Sequence, residues 1–211
     1  MLSHFKKVLV LAPHTDDGEL GAGGTIHRLI GNGADVFYVA FSTAEDSLPP
    51  GYPKDTLSKE VLCATTALGI KAHNVFLHSY SVRKLNYHRQ EILEELVKLK
   101  RTLSPDLVLM PSPRDLHQDH STVSQEGLRA FKTTTILAYE LIWNNLDFNT
   151  TAFVRLEEAN IDAKFMALTH YESQSDRKYM QKDFIKSLAH VRGVQVGCEF
   201  AECFEVIRWM I

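Results

Sequence analysis

A histidine and two aspartates stand close together near the start of the chain, at His14, Asp16 and Asp17. Residues 8–12 before them form a short apolar run, which predicts a buried parallel strand. In an open α/β sheet, ligands bind just beyond the carboxyl ends of the strands. Imidazole nitrogen and carboxylate oxygen both bind divalent metals such as zinc. The stretch therefore predicts part of a metal site.

A second polar cluster, made of His117, Asp119 and His120, follows a predicted strand at residues 106–110. A catalytic zinc site usually has three protein ligands and an open position for water, so we expect the third ligand from this cluster. His117 and His120 are three residues apart, which places both on one face at a helix start. Because the carboxyl ends of parallel strands share one edge of a sheet, we expect the two clusters to meet there.

The residue types predict a division of roles. With His14 and Asp17 as ligands, Asp16 projects differently from the same turn and would accept a proton from a water that the metal activates. Of His117 and His120, one would bind the metal and the other would stabilise the oxyanion of a tetrahedral intermediate. The spacing alone leaves these two assignments open.

Asp119 is predicted to orient one of the imidazoles and to raise its basicity, as carboxylates behind metal ligands do. The simpler alternatives are a pair of aspartates that only caps the following helix, and a solvated histidine-rich loop. Two such clusters, each after an apolar strand, favour the metal site over both alternatives.

Three glycines, Gly21, Gly23 and Gly24, open a helix that we predict over residues 21–32. They lack the full G-x-G-x-x-G spacing of a dinucleotide site, and the two acids before them would repel a pyrophosphate. We expect them instead to let the helix pack closely beside the sheet.

The composition is that of a globular protein with a single domain over residues 1–211, in which 45% of the residues are apolar and 23% are charged. The net charge of −3 and the lack of a basic block exclude an electrostatic footprint for nucleic acid. No run approaches about 18 apolar residues and no signal peptide is recognisable, so we expect no membrane span and a cytoplasmic location. The cysteines are too few for a disulfide framework and are predicted to be core thiols: Cys63, Cys198 and Cys203.

Apolar runs alternate with amphipathic segments along the chain. Besides the two strands named above, they predict strands over residues 36–41, 74–77, 136–142, 153–156 and 203–209. They predict further helices over residues 56–68, 88–103, 121–131, 160–174 and 177–191. We expect the polar loop over residues 42–55 to shape the mouth of the site. The alternation predicts a doubly wound, mostly parallel sheet between two layers of helices.

These motifs resemble the signature of the PIG-L/LmbE-like zinc-dependent N-deacetylase family. The likeness rests on Pro13-His14-Thr15-Asp16-Asp17, on the glycines that follow, and on His117-Gln118-Asp119-His120. It continues in order through Glu60, Lys164, Ser173-Gln174, Arg192-Gly193 and residues 201–204. The resemblance implies a Rossmann-like three-layer α/β sandwich that hydrolyses an N-acetyl group, usually on a glucosamine-type sugar.

Carried over by position, the resemblance implies a general base at Asp16, an oxyanion-stabilising residue at His117 and a histidine partner at Asp119. It implies three metal ligands, His14, Asp17 and His120. The implied metal is Zn²⁺, with Fe²⁺ as an alternative for two histidines and a carboxylate. The implied partner is a small N-acetylated molecule. Relatives are often multimeric, so a homo-oligomer is compatible with the resemblance, although no obvious self-association stripe appears in the sequence.

Three positions depart from the family pattern. Thr15 and Gly18 stand where the family often has proline and glutamate. Leu57 stands where an arginine is common, and in relatives an arginine in that region can help to hold the substrate. Two alternatives to a sugar deacetylase follow, namely an amidohydrolase of a non-sugar N-acyl molecule and a catalytically silent metal- or sugar-binding module. Intact Asp16 and His117 weigh against the second, because a binding module needs no base.

Overall fold

One seven-stranded sheet forms the centre of the computed structural model, which describes residues 2–210. Its strands are β1 (Lys7–Ala12), β2 (Asp35–Ala40), β3 (Val75–Leu77), β4 (Leu107–Pro111), β5 (Thr135–Tyr139), β6 (Ala152–Leu156) and β7 (Phe200–Arg208). Their order across the sheet is β3-β2-β1-β4-β5-β7-β6. The first five run parallel, whereas β7 is antiparallel to both β5 and β6.

Helices cover both faces of this sheet. They are α1 (Asp17–Gly31), α2 (Thr56–Ala67), α3 (Arg89–Leu103), α4 (Gln118–Ala130), α5 (Glu158–Thr169) and α6 (Lys182–Gln195). α1, α2, α5 and α6 pack on one face, and α3 and α4 pack on the other. The predicted three-layer α/β sandwich with a mostly parallel sheet is therefore confirmed. Between residues 2 and 210, no helix has both the length and the apolar character needed to cross a bilayer.

The central strand β1 accounts for the continuous apolar run near the start of the chain. Val10 belongs to the core on the α1 side and Leu11 to the core on the α3 and α4 side, and both are 0% exposed. Because both faces are covered, the strand has no polar face. β1 pairs with β4 on one side and β2 on the other, with Val8 opposite Leu107. The carboxyl ends of β1 and β4 thus lie side by side at the point where the strand order reverses, which is where such sheets bind ligands.

The largest difference from the predicted boundaries lies after α5. The helix predicted over residues 160–174 ends at Thr169, and the next α-helix begins only at Lys182. Ser173 lies instead in a 3-10 turn. Its backbone N–H and its hydroxyl donate hydrogen bonds of 2.9 and 2.7 Å to the buried carboxylate of Glu60 in α2. These contacts hold the segment away from a continuous helix.

The cysteines differ in their burial. Cys203 is buried in β7, but Cys63 is exposed on α2 and Cys198 is half-buried. The prediction of core thiols is wrong for Cys63, because that residue lies on the solvent side of an amphipathic helix. None of the three forms a disulfide within residues 2–210.

Candidate metal centre and active site

Three ligand atoms from the two predicted clusters meet beyond the ends of β1 and β4. His14 Nδ1 lies 3.1 Å from Asp17 Oδ2, and His120 Nε2 lies 3.2 Å from each of those two atoms. Ligand atoms of tetrahedral zinc are each about 2.0–2.2 Å from the ion and hence about 3.3–3.6 Å from one another. The three atoms form a nearly equilateral triangle, called the ligand triangle below, of about the size that one divalent ion requires.

Two buried carboxylates determine which nitrogen each histidine turns towards the ligand triangle. Asp119 Oδ2 lies 3.0 Å from His14 Nε2, and Asp115 Oδ2 lies 2.7 Å from His120 Nδ1. With protons on those outer nitrogens, His14 Nδ1 and His120 Nε2 present lone pairs. Together with the oxygen of Asp17, three electron-pair donors then face one another, and a cation between them would stabilise the arrangement.

The acidic surroundings attract positive charge to this point. Burial lowers the pKa of His14, but the charge of Asp17 and the hydrogen bond to Asp119 outweigh burial and raise that pKa to about 9. Burial is likewise outweighed at His120, where Asp17 and Asp115 raise the pKa to about 10. Burial of Asp17 opposes its ionisation, yet the two histidines hold its pKa well below the usual value. Since a metal ion competes with protons for the same nitrogens, these residues fit a divalent cation.

The turn between β1 and α1 differs from a simple capped helix start. α1 begins at Asp17, earlier than the predicted residue 21, and Ala22 interrupts it with a non-helical φ of −144°. The Asp17 carboxylate accepts a 2.8 Å hydrogen bond from the backbone N–H of His14. Asp16, the N-cap residue, makes no side-chain capping hydrogen bond within the described chain. The alternative of two aspartates that only cap the helix therefore does not describe this turn.

A network of buried polar side chains stabilises the same turn. The hydroxyls of Tyr38 and Tyr171 lie 2.9 and 2.6 Å from the carbonyl oxygen of Thr15, and both also contact the carboxyl group of Glu19. Burial raises the pKa of Glu19 to about 8, although the two tyrosines act in the opposite direction. A Cβ at Gly18 would lie 2.5 Å from Tyr38 Cε2, which accounts for a glycine where the family often has glutamate.

His117 lies beside the ligand triangle, with its ring centre 4.9 Å from that of His14 and 4.5 Å from that of His120. Its Nδ1 accepts a 3.2 Å hydrogen bond from the backbone N–H of Asp119, which leaves its proton on Nε2. Burial and the charges of His120 and His14 lower its pKa to about 4. His117 is thus a neutral N–H donor at neutral pH. His14, His117 and His120 also offer ligand atoms within 4.8 Å of one another, so a three-histidine set is a second candidate for the metal.

Asp16 lines the cavity in front of the ligand triangle and is 7% exposed. Burial and the neighbouring charge of Asp17 raise its pKa, while Arg177 and His14 oppose the rise. A carboxylate with a raised pKa is a stronger proton acceptor, so Asp16 suits a base in this position.

The cavity itself has a volume of about 220 Å³. Trp143 and Tyr179 form an aromatic wall, in which the two rings stack 4.1 Å apart with 7° between their planes. Ala44 and Ser47 also line the cavity, so the loop over residues 42–55 contributes to it as expected. A cavity with one aromatic wall and one ionic wall suits a small polar molecule that has an apolar face.

Several of these residues carried no predicted role. Asp115 stands two residues before His117 in the loop after β4, and this position was the only local signal for it. Trp143, Tyr179 and Arg177 come from segments without a recognisable motif, so the sequence held no signal that places them at the cavity.

The comparison with protein families supports the motif resemblance. The family model described as PIG-L: GlcNAc-PI de-N-acetylase matches residues 9–131. A diacetylchitobiose deacetylase from Thermococcus kodakarensis is 27% identical over 222 residues, which cover 93% of this chain and 81% of that protein.

Solved structures share the fold. N,N'-diacetylchitobiose deacetylase from Pyrococcus horikoshii has a TM-score of 0.80 at 24% identity, over 96% of this chain and 84% of that one. The 4-carboxy-2-hydroxymuconate hydratase GalB from Pseudomonas putida has a TM-score of 0.79 at 18% identity, over 98% of each chain. At these identities the likeness shows the fold alone. The family model, in contrast, spans more than half of the chain and both candidate metal-site motifs, and this chain belongs to the PIG-L family.

Proposed function

We propose that this protein is a zinc-dependent N-deacetylase that hydrolyses the N-acetyl group of an N-acetylglucosamine-type sugar, sugar nucleotide or conjugate in the cytoplasm. One observation carries the proposal: His14, Asp17 and His120 converge in the wall of a cavity that Asp16 and His117 also line. Membership of the PIG-L family supports amide hydrolysis. The Thermococcus relative, named for an acetylated amino sugar, supports the substrate class.

The proposed reaction is water attack on the acetyl carbonyl. Zn²⁺ held by His14, Asp17 and His120 would act as a Lewis acid, polarising this carbonyl and lowering the pKa of a water to about 7. Asp16 accepts a proton from the attacking water. The Nε2–H of His117 donates a hydrogen bond to the oxygen that becomes negative in the tetrahedral intermediate. Asp16 then returns its proton to the amine nitrogen, the C–N bond breaks, and the free amine leaves with acetic acid, which ionises to acetate in solution.

The identity of the metal is a separate part of the proposal. Zinc suits two histidines and a carboxylate, but ferrous iron favours the same set. Elemental analysis of protein purified without added metal should find about one equivalent of zinc per chain. Iron in place of zinc would change the identity of the metal but not the proposed mechanism. A protein that binds neither ion and is activated by neither would contradict a metal-dependent reaction.

The variant Asp16→Asn tests the proposed base. We expect kcat for acetate release to fall by about 10²–10⁴-fold with the zinc content unchanged, because proton transfer by a positioned side chain contributes about that much. Asp183→Asn, at an exposed position in the first turn of α6, is the matched control and should keep wild-type turnover. Full activity of Asp16→Asn with zinc bound would refute the role of Asp16.

A panel of N-acylated compounds separates this proposal from its alternatives. We expect acetate from at least one N-acetylated sugar, sugar nucleotide or sugar conjugate. An amidohydrolase of non-sugar molecules would release an acid only from the non-sugar amides. A silent binding module would release none, although the metal is bound. The hydratase GalB shares the fold at 18% identity, which gives no residue-level support for hydration here.

A further inference from the structure

The cavity lining contains one basic side chain of the lysine or arginine type among the described residues, and it is Arg177. Arg177 lies in the segment between α5 and α6 and is exposed. Leu57, where the family pattern commonly has an arginine, contributes an apolar side chain to the same lining. The positive charge of this cavity therefore comes from a different element than the resemblance implies.

Most N–H groups of the Arg177 guanidinium make no hydrogen bond within residues 2–210. Nη1 donates a 2.6 Å hydrogen bond to the hydroxyl of Tyr179, and the guanidinium carbon lies 5.8 Å from the centre of that ring. Within residues 2–210 Arg177 forms no ion pair, whereas Arg192 pairs with the carboxylate of Glu140. Most N–H groups of Arg177 are consequently available to a ligand.

The segment that carries Arg177 is fixed by contacts on both sides. Its backbone N–H donates a 3.1 Å hydrogen bond to the carbonyl of Gln174, and the adjacent Ser173 is bound to buried Glu60. Tyr179, which holds the guanidinium, stacks on Trp143. A side chain presented on such a fixed wall loses less conformational entropy when a ligand binds.

Asp16 and Asp17 line the same cavity as Arg177, so the lining combines one arginine with two aspartates. The two aspartates would repel an anionic group placed beside them. An anionic substituent is therefore better placed next to Arg177, with the acetamide beside the ligand triangle. The planar guanidinium matches the paired oxygens of a carboxylate or a phosphate.

We propose that Arg177 is a specificity-determining residue that binds an anionic oxygen group, a carboxylate or a phosphate, on the N-acetylated substrate. This inference rests on the proposed deacetylase function and narrows its substrate class to acidic derivatives of an N-acetyl amino sugar. The aromatic wall of Trp143 and Tyr179 lies along the sugar in this arrangement.

Three derivatives of N-acetylglucosamine test the proposal on the zinc-loaded protein. They are the 1-phosphate, the glycoside of glycolic acid, which carries a carboxylate, and the neutral methyl glycoside. The readouts are kcat/KM for acetate release and, separately, the dissociation constant from calorimetric titration. We expect the wild type to prefer an anionic derivative by about 10- to 100-fold, the range of a hydrogen bond to a charged group. The preferred derivative distinguishes phosphate from carboxylate.

Variants of Arg177 test whether this side chain causes the preference for anionic derivatives. Arg177→Ala should abolish the ratio between anionic and neutral derivatives, and Arg177→Lys should keep part of it, because the charge remains while the planar fork is lost. Arg101→Ala, an exposed arginine in the last turn of α3, is the matched control and should keep the full ratio.

Two results would overturn the inference. One is a wild-type protein without any preference for an anionic derivative. The other is an Arg177→Ala variant that loses the same factor on neutral and anionic sugars, which would assign the arginine to the support of Asp16. If no derivative releases acetate, the proposed function fails, and the titration still decides the inference: a binding preference that Arg177→Ala abolishes supports recognition, and equal binding refutes it.

Discussion

Two groups of buried charges lie near α1, and they differ in how their charged groups are arranged. The first, called the ion-pair cluster, consists of Lys164 with Glu202 and Arg192 with Glu140. Lys164 Nζ lies 2.7 Å from Glu202 Oε1 and donates a second 2.7 Å hydrogen bond to a backbone carbonyl. Arg192 binds both oxygens of Glu140.

The ligand triangle has a different arrangement of its charged groups. His14 Nδ1, His120 Nε2 and Asp17 Oδ2 are each about 3 Å apart, while the outer nitrogens of both histidines are already bound to carboxylates. Each cation of the ion-pair cluster has its own carboxylate, whereas the three ligand atoms of the triangle all face one point, where Asp17 Oδ2 also accepts a hydrogen bond from the backbone N–H of His14. Burial of charge occurs in both groups, so burial alone does not mark a functional site. Three ligand atoms that converge on one point are the stronger indication of such a site.

The largest effect should come from removing one corner of the ligand triangle. His120→Ala is expected to lose bound zinc and to show no detectable acetate release, because two protein donors do not complete a catalytic zinc site. Elemental analysis and the acetate assay measure both outcomes. His170→Ala, which removes an exposed histidine after α5, should keep metal and turnover. Unchanged zinc content in His120→Ala would show that the ligand triangle does not bind the metal. The proposed distinction between the ligand triangle and the ion-pair cluster would then be wrong.

The variant His117→Ala tests whether His117 is the oxyanion donor or a metal ligand. With His117 as the oxyanion donor, kcat should fall by about 10²–10³-fold while zinc stays bound. The three-histidine set predicts loss of zinc instead. Measuring zinc content in both His117→Ala and Asp17→Asn decides between the two sets. Zinc lost from the first variant and kept by the second would move the ligand role from Asp17 to His117.

The meeting of the two polar clusters could be predicted from the sequence, because it needs only two apolar strands and the rule that parallel strands end at one edge. The choice of His120 over His117 as the ligand came from the family resemblance. The sequence also predicted that Asp119 orients an imidazole, but not that this imidazole is His14, since the pairing joins residues 105 positions apart through loops without a pattern. The position of Arg177 at the cavity could not be predicted from the sequence either. It depends on how buried Glu60 holds the chain after α5, and side-chain contacts between distant elements leave no periodicity to recognise.

The ion-pair cluster should respond in stability rather than in metal binding. Lys164→Met leaves Glu202 buried without its cation, which costs about 3–5 kcal/mol of unfolding free energy. Urea denaturation measures that loss, and zinc content should stay at the wild-type level. Adding Glu202→Gln to Lys164→Met should recover part of the stability, because the unpaired charge is gone. Lost zinc with unchanged stability in Lys164→Met would contradict a purely structural role for this cluster.

Glu19 represents a third way to bury a carboxyl group, and between pH 6 and pH 8 it should give the smallest effect. Burial raises its pKa from 4.5 to about 8, so the folded protein holds a proton that the unfolded chain releases near pH 4.5. The stabilisation is complete below pH 4.5 and is lost as the pH rises through about 8, by up to about 1.4 kcal/mol per pH unit. Glu19→Gln should lack this slope, since its amide does not ionise there. Denaturation of the zinc-loaded proteins at pH 6 and pH 8 tests the difference, and parallel pH profiles would mean that Glu19 is ionised between its two tyrosines.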